Sequence, residues 1–420
     1  MSSTDRHARR PARHRRLDGD GGHGNGGHGG GHGHGHGHSP APPADRRVRM
    51  LIAALLVPCA LATVVGLVLL YPFGEPAPAD DVTAVRVDGH VTTATETACS
   101  DDPNADGCLA LTVAIAEGPL AGQSIVTEVS VVRGEAPFGA GDDVVLSVPE
   151  DELTEPVAYA VVDFQRSTPL LVLALLFAAA VVGLGGRRGL AALAALALTG
   201  TTLIAFVLPA ILAGRDPLAV AVVGCCAIMF GALYLTHGLS ARTSTAVLGT
   251  LASLVLIGLL GTAFAHLARL SGADEDTANL AAALGTGVDS RGLVLAGLMI
   301  GALGALDDVT VTQTSAVWEL RQADPGLRSI ALFRAAMRIG RDHVASAVNT
   351  LVLAYAGTTL PLLLLFSAAQ RGLGDVLTTQ VIATEVVRTL VGSIGLVASV
   401  PVTTAVAVAV VTRSRRVAGR

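Results

Sequence analysis

The chain has 420 residues, 51% of them hydrophobic, with a formal net charge of −5 and a mean hydropathy of +0.57. That is too apolar for an ordinary soluble protein, and the apolar residues come in runs of about 20, the length that crosses a hydrocarbon core of about 30 Å. All 29 basic residues are arginine, and they are sorted by position, so the net charge says little. The reading is an α-helical polytopic membrane protein of about eight spans, with a small all-β exported domain inserted after the first.

Residues 1–49 read as a disordered cytoplasmic tail. From Gly19 to His38 it is almost entirely Gly and His, with nothing to build a core. His32, His34, His36 and His38 alternate with glycine, and neutral imidazoles on a flexible chain can wrap zinc or nickel. The alternative from the same composition is low-complexity drift or a flexible tether. The first span, 50–71, is an anchor. Ala77-Pro78-Ala79 resembles a signal-peptidase site, but the apolar run exceeds the usual 7–15 residues of a signal peptide, so an uncleaved anchor is expected.

Residues 73–166 form the exported domain. Short β-branched runs at Val82–Val87, Leu109–Ile115, Ser124–Val132 and Asp143–Val148 alternate with turn signals, among them Asp88-Gly89 and Gly139–Gly141. A small barrel or sandwich, OB-like in one version, fits. Cys99 and Cys108 flank a turn-rich loop on an oxidising side and are expected to form a disulfide. Within that loop, Asp102 to Gly107 mimics the start of a calcium loop, but Val113 stands where the twelfth-position glutamate belongs, so a polar turn is the simpler reading.

Residues 167–412 form the membrane domain, with seven further spans near Pro169–Leu184, Leu190–Leu212, Leu218–Leu235, Ala246–His266, Gly292–Val311, Val344–Phe366 and Val386–Val411. Residues 413–420 are a basic C-terminus. With eight spans, 21 arginines fall on one side and eight on the other. Arginine excess marks the cytoplasmic side. Both termini are then cytoplasmic and 73–166 extracytoplasmic, in the cytoplasmic membrane. Arg321–His343 reads as the largest cytoplasmic loop, basic and partly amphipathic.

The sixth span carries the chemistry. Gly297, Gly301, Gly304, Asp308, Thr312, Ser315 and Glu319 fall on one helical stripe. Intramembrane acids are costly, by about 2.5–3.5 kcal/mol on insertion scales, and usually face a bundle interior or a water path. Asp307 and Asp308 would repel each other in a buried site, but point about 100° apart on a helix. One reading makes them a cation or proton relay; another has them pair with Arg334, Arg338 or Arg341. In the seventh span Asn349 is either interhelical glue or a substrate contact, and Thr358, Thr359 and Pro361 are candidates to break the helix. Glu385 and Arg388, at i and i+3, suit an ion pair.

GALGALDDVTVTQTSAVWEL (Gly301–Leu320), GRDHVASAVNTLVLAYAGTTLPLLLL (Gly340–Leu365) and EVVRTLVGSIGLVASVPVT (Glu385–Thr403) resemble the YibE/F-like family of bacterial multi-pass proteins, over roughly Thr168 to Thr412. The resemblance implies an integral membrane protein, often described as permease-like, with no settled substrate. The Gly/His tail lies outside the family pattern.

No GK[ST] phosphate loop, HExxH, CxxC, haem motif or GxSxG occurs, so no enzyme and no ATP-driven pump is expected. The expectation is a permease of a small solute or ion, its path lined by Asp307, Asp308, Thr312, Ser315, Glu319 and Asn349. The rival is a membrane scaffold or envelope sensor whose β domain binds a partner. The expected partners are the lipid bilayer and a small solute or ion of unknown identity; nucleic acid is not expected, no cofactor is expected other than zinc or nickel as an option on the tail, and an oligomer is left open.

Overall fold

A computed structural model describes residues 46–74, 84–99, 107–130, 138–272, 289–368 and 372–416. The His32–His38 tract and the Asp102–Asp106 turn lie outside them. Eight helices among the described residues are long and apolar enough to cross a membrane: α1 (Arg46–Leu70), α2 (Ser167–Gly185), α3 (Arg187–Leu212), α4 (Pro217–His237), α5 (Ala241–Leu267), α6 (Ser290–Ala323), α7 (Ser329–Ala368) and α8 (Gln380–Arg413, continuing as helix to Arg416).

Five antiparallel strands follow α1: β1 (Ala84–Thr97), β2 (Cys108–Ile115), β3 (Ser124–Ser130), β4 (Asp143–Pro149) and β5 (Ala160–Phe164), in the order β3-β2-β1-β4-β5. The outer strands β3 and β5 also approach each other, curling the sheet toward a small barrel. Alternate residues of β2 and β4 point inward, as a strand with one wet face requires. Leu111 and Val113 of β2, Val144, Leu146 and Val148 of β4, and Val91 of β1 are fully buried. Tyr159 closes the core and donates its hydroxyl to Leu153 O at 2.8 Å. Cys99 and Cys108 form a disulfide, Cα atoms 5.1 Å apart, across the mouth of the β1–β2 hairpin.

One turn assignment is corrected. Asp88-Gly89 lies inside β1, paired with Val145 and Val144 of β4. Glycine is there because β1 is crossed closely: a Cβ at Gly89 would sit 2.6 Å from Val113 Cγ1. β1 serves two partners, β4 through its first half and β2 through its second, with a register shift between Val91 and Thr93 that bends it. β5 carried too short an apolar run to be anticipated.

In the helical domain α5, α6 and α8 pack on one another at the centre, with α7 against α6 and α8, and α4 against α6. α1 joins the same core through Val48, Ile52 and Leu56. α3 leans on α4, and α2, with no buried residue, touches α3. Small residues set the close approaches: Gly249 receives Thr403, Gly395 receives Ile257, and Gly261 receives Leu298.

Two further expectations change. Arg321–His343 is largely helix, because α6 runs on to Ala323 and α7 begins at Ser329. Leu332, Ala336 and Gly340, buried on this stretch, dock it and keep it helical. Nor does Pro361 break α7, which stays helical through it. Thr358 and Thr359 spend their hydroxyls on carbonyls of their own helix, at 2.8 and 3.2 Å from Tyr355 O, and proline is tolerated in membrane helices that can rearrange locally. The irregular turn falls in α3, where Leu203–Val207 is π-helical. Pro209 lacks the N–H that Ala205 O would accept, and its ring crowds that carbonyl; the wider turn accommodates both.

Candidate functional site

Cross-helix contacts fix the depth of the acids. Arg242, the second residue of α5, donates from Nε to Ser315 Oγ at 2.9 Å and lies 4.0 Å from the Glu319 carboxylate. About a third of the way along α5, Thr250 pairs with Thr310 at 2.8 Å. Toward the other end, Leu295 and Leu298 fill the space at Gly261. Ser315 therefore stands level with the end of the α4–α5 hairpin. Asp308, seven residues earlier, is about 10 Å deeper at 1.5 Å per residue, and about 24 Å from Gly292 at the opposite end.

The adjacent aspartates point into different surroundings, as their 100° offset requires. Asp308 opens into a cleft of about 380 Å³ between α6 and α7, lined by Gly301, Gly304 and Asp308 on one wall and His343, Ser346 and Thr350 on the other. Its side chain is 73% exposed and lies 3.6 Å from His343 Nε2. Gly304 has nothing within 4 Å of its absent side chain, so the cleft is real space at that level. Asp307 turns inward. It is half-buried, and its Oδ1 is fully buried without a hydrogen-bond partner among the described residues.

Further along the glycine stripe two polar groups lean over α6. At Gly301 the vacant side-chain position is taken by the Tyr355 hydroxyl from α7. At Gly297 it is bordered by the Arg388 guanidinium from α8, 3.4 Å from where a Cβ would be. Arg388 and Glu385 form the i, i+3 ion pair, mostly buried, with Glu385 Oε2 and Arg388 Nε left unpartnered among the described residues. Three helices thus place Glu385–Arg388, Tyr355 and Asp308–His343 in sequence along eleven residues of α6, a rise of about 16 Å.

The opposite face of α6 carries a buried polar seam. Gln313, 3% exposed, donates to Ala336 O of α7 at 3.0 Å and to Thr404 Oγ1 of α8 at 2.6 Å. Thr310, Thr314, Ser399, Thr403 and Thr404 are buried beside it. Most of these hydroxyls donate within their own helix, as Thr404 does to Val400 O at 2.6 Å. Gln313 ties α6 to α7 and α8 here, while the buried hydroxyls of Thr314 and Thr403 have no hydrogen-bond partner among the described residues.

The expected path residues therefore separate. Asp308 lies in the cleft. Ser315 and Glu319 belong to the Arg242 contact at the helix end. Thr312 is half-buried outside the cleft lining, and Asn349 is exposed on the outer side of α7 rather than facing Asp308. The pairing of Asp308 is with His343, not with Arg334, Arg338 or Arg341. Sequence reasoning missed the contact of Tyr355 with the glycine stripe, the buried Gln313 and the partnership of His343. The glycine spacing was the available signal for Tyr355, since a vacant stripe must be filled by something; Gln313 sits inside the same apolar run as the aspartates and could have been found as a buried amide. Among the described residues the one group of three metal-capable side chains is Cys99, Cys108 and Glu128, and both sulfurs are committed to the disulfide.

No curated protein and no solved structure matches the chain. The model of one protein family, described as YibE/F-like protein, matches residues 173–413, which takes in nearly all of α2 to α8 and leaves α1 and the β domain outside. The chain belongs to the YibE/F-like family.

Proposed function

We propose that the protein is a permease-like transporter of a small solute or ion, working through the α6–α7–α8 polar row. The observation that supports this is the alignment of Glu385–Arg388, Tyr355 and Asp308–His343 along the glycine stripe of α6, at depths where a hydrocarbon environment penalises each of them. Asp308 and His343 would supply the anionic and proton-accepting groups, and Tyr355 a hydroxyl between the cleft and the ion pair. No bond is made or broken in this reading, and it is not that of an enzyme. A folded β domain with its own core favours a second reading, in which that domain recruits an envelope partner and the bundle anchors it.

The proposed orientation rests on the arginines: both ends of the chain cytoplasmic, 73–166 outside, in the cytoplasmic membrane. The Cys99–Cys108 disulfide fits an oxidising compartment. Retention of α1 as an anchor is supported by the burial of Val48, Ile52 and Leu56 in the core shared with α4 to α6 and α8. A zinc or nickel role for His32, His34, His36 and His38 remains part of the proposal. Purified protein in liposomes, screened for flux of monovalent cations, divalent cations, protons and small organic solutes, tests the transport reading; Asp308→Asn beside wild type separates a path through the cleft from leak.

A further inference from the structure

The first third of α7 is docked through Leu332, Ala336 and Gly340, which follow one another turn by turn on one side of the helix. Arg334 and Arg338 stand two residues past Leu332 and Ala336, about 200° round the helix, and Arg341 stands two residues before His343 of the cleft wall. All three arginines are therefore on the side of α7 that faces away from the bundle, and all three are exposed. Their depth follows from the contacts between α6 and α7. Asp308 is level with His343; the Gln313 amide reaches Ala336 O, and its Oε1 lies 2.6 Å from where a Cβ of Gly340 would be. In antiparallel helices that register sets Arg334 level with Val317, Arg338 with Gln313 and Arg341 with Thr310. Arg341 is thus about 8 Å deeper than Ser315 and the Arg242 contact, and the row rises about 10 Å from there to Arg334.

An arginine at such depth is costly unless its charge is met, and elsewhere in the bundle it is met from within. Arg242 has Ser315 and Glu319, and Arg388 has Glu385. Arg334, Arg338 and Arg341 make no hydrogen bond or ion pair among the described residues, not even with the neighbouring Asp342. Their counter-charge has to come from outside the chain, on a face that lipid contacts. A lipid phosphate satisfies both conditions: a guanidinium takes two of its oxygens at once, and the flexible stem lets Arg341 reach up to it from below. We infer that Arg334, Arg338 and Arg341 form a binding site for the head group of an anionic phospholipid in the leaflet at the arginine-rich end of the bundle. A net negative head group complements three unmatched positive charges, whereas a zwitterionic one brings its own cation. Ala345 and Val352 continue the same side of α7 toward the membrane centre, exposed and apolar, where acyl chains lie. The inference does not rest on the transport reading.

The test titrates phosphatidylglycerol into the purified full chain in neutral detergent and counts bound lipid by native mass measurement. Each arginine at an anionic lipid surface strengthens attachment about fivefold, so removing three together, as Arg334→Gln, Arg338→Gln and Arg341→Gln, should weaken it about a hundredfold. Removing three others from the same end of the bundle, as Arg46→Gln, Arg47→Gln and Arg49→Gln, should change it less than about fivefold. Phosphatidylcholine should bind wild type and both variants alike, and more weakly than phosphatidylglycerol binds wild type. An equal loss in the two triple variants would reduce the site to bulk charge and overturn the inference. So would phosphatidylcholine held by wild type as tightly as phosphatidylglycerol. Displacement of phosphatidylglycerol by inorganic phosphate at the same concentration would make the occupant a soluble anion and overturn it too. Should the α7 triple variant fail to fold, Arg341→Gln alone decides it: binding about fivefold weaker is expected, and unchanged binding counts against the site.

Discussion

Gly301 and Gly304 are one turn apart on the same stripe of α6, and the structure predicts opposite outcomes for an added methyl at each. At Gly304 a Cβ meets nothing within 4 Å, so Gly304→Ala should be neutral, or stabilising by up to about 1 kcal/mol, because alanine loses less backbone freedom in a helix. At Gly301 the methyl overlaps the Tyr355 hydroxyl. Tyr355 would have to swing its ring, and overpacking of this kind costs about 1–3 kcal/mol. The nearest ring carbon, in contrast, is 3.6 Å from the new methyl, an ordinary contact. Tyr355→Phe should therefore remove the clash and leave the rest intact. In a double-mutant cycle, Gly301→Ala should destabilise by about 1–2 kcal/mol in wild type and by nearly nothing in Tyr355→Phe, a coupling of about 1 kcal/mol or more. Equilibrium unfolding in mixed micelles measures all four corners. If Gly301→Ala is as benign as Gly304→Ala, or if Tyr355→Phe fails to relieve it, the placement of the hydroxyl over α6 is wrong, and with it the continuity of the polar row.

Three further predictions address the frame around that row. Gln313→Leu keeps most of the volume and removes two interhelical hydrogen bonds worth about 0.6 kcal/mol each, so the same unfolding assay should register a loss of about 1 kcal/mol with no change in cleft chemistry; a silent substitution would mean the amide is not the tie between α6, α7 and α8. Cys99 and Cys108 close a short loop, and replacing both with serine should destabilise the β domain by about 2–3 kcal/mol, while intact-mass analysis without reductant should show the wild-type pair refractory to alkylation. Alkylation of both would contradict the bridge. Reporter fusions at Gly141 should register outside, and fusions at Gly326 and Arg420 inside; an inside signal at Gly141 would invert the arginine-based orientation.

The helical architecture was legible because its signal is long-range in sequence but local in physics: runs of about 20 apolar residues between arginine clusters admit few alternatives. The strands were legible where β-branched residues alternate, at β2, β3 and β4. They were misread at Gly89, where a glycine serving close strand approach has the same letter as a glycine serving a turn. The site was half legible. A carboxylate in a membrane helix marks itself, and the glycine stripe announced a surface that something must fill. What filled it could not be read, because Tyr355 and Arg388 come from helices whose rotation depends on packing. The stripe also suggested one continuous face to Glu319, whereas Arg242, at the start of α5, captures Ser315 and Glu319 and ends the face there. Asn349 was recognised as unusual but assigned inward, since exposure at membrane depth cannot be told from burial by residue type.

The central claim, that Asp308 serves passage through the α6–α7 cleft and not the stability of the bundle, is tested most directly by Asp308→Asn in the same preparation for flux and for unfolding. The carboxylate is largely exposed and its contact with His343 is 3.6 Å, so the pair contributes no more than about 1 kcal/mol, and the variant should fold, insert and unfold like wild type. Flux of the substrate identified in the liposome screen should fall at least tenfold, or lose its dependence on pH. Wild-type flux from a normally folded Asp308→Asn protein would contradict the claim and remove the cleft carboxylate from the transport account.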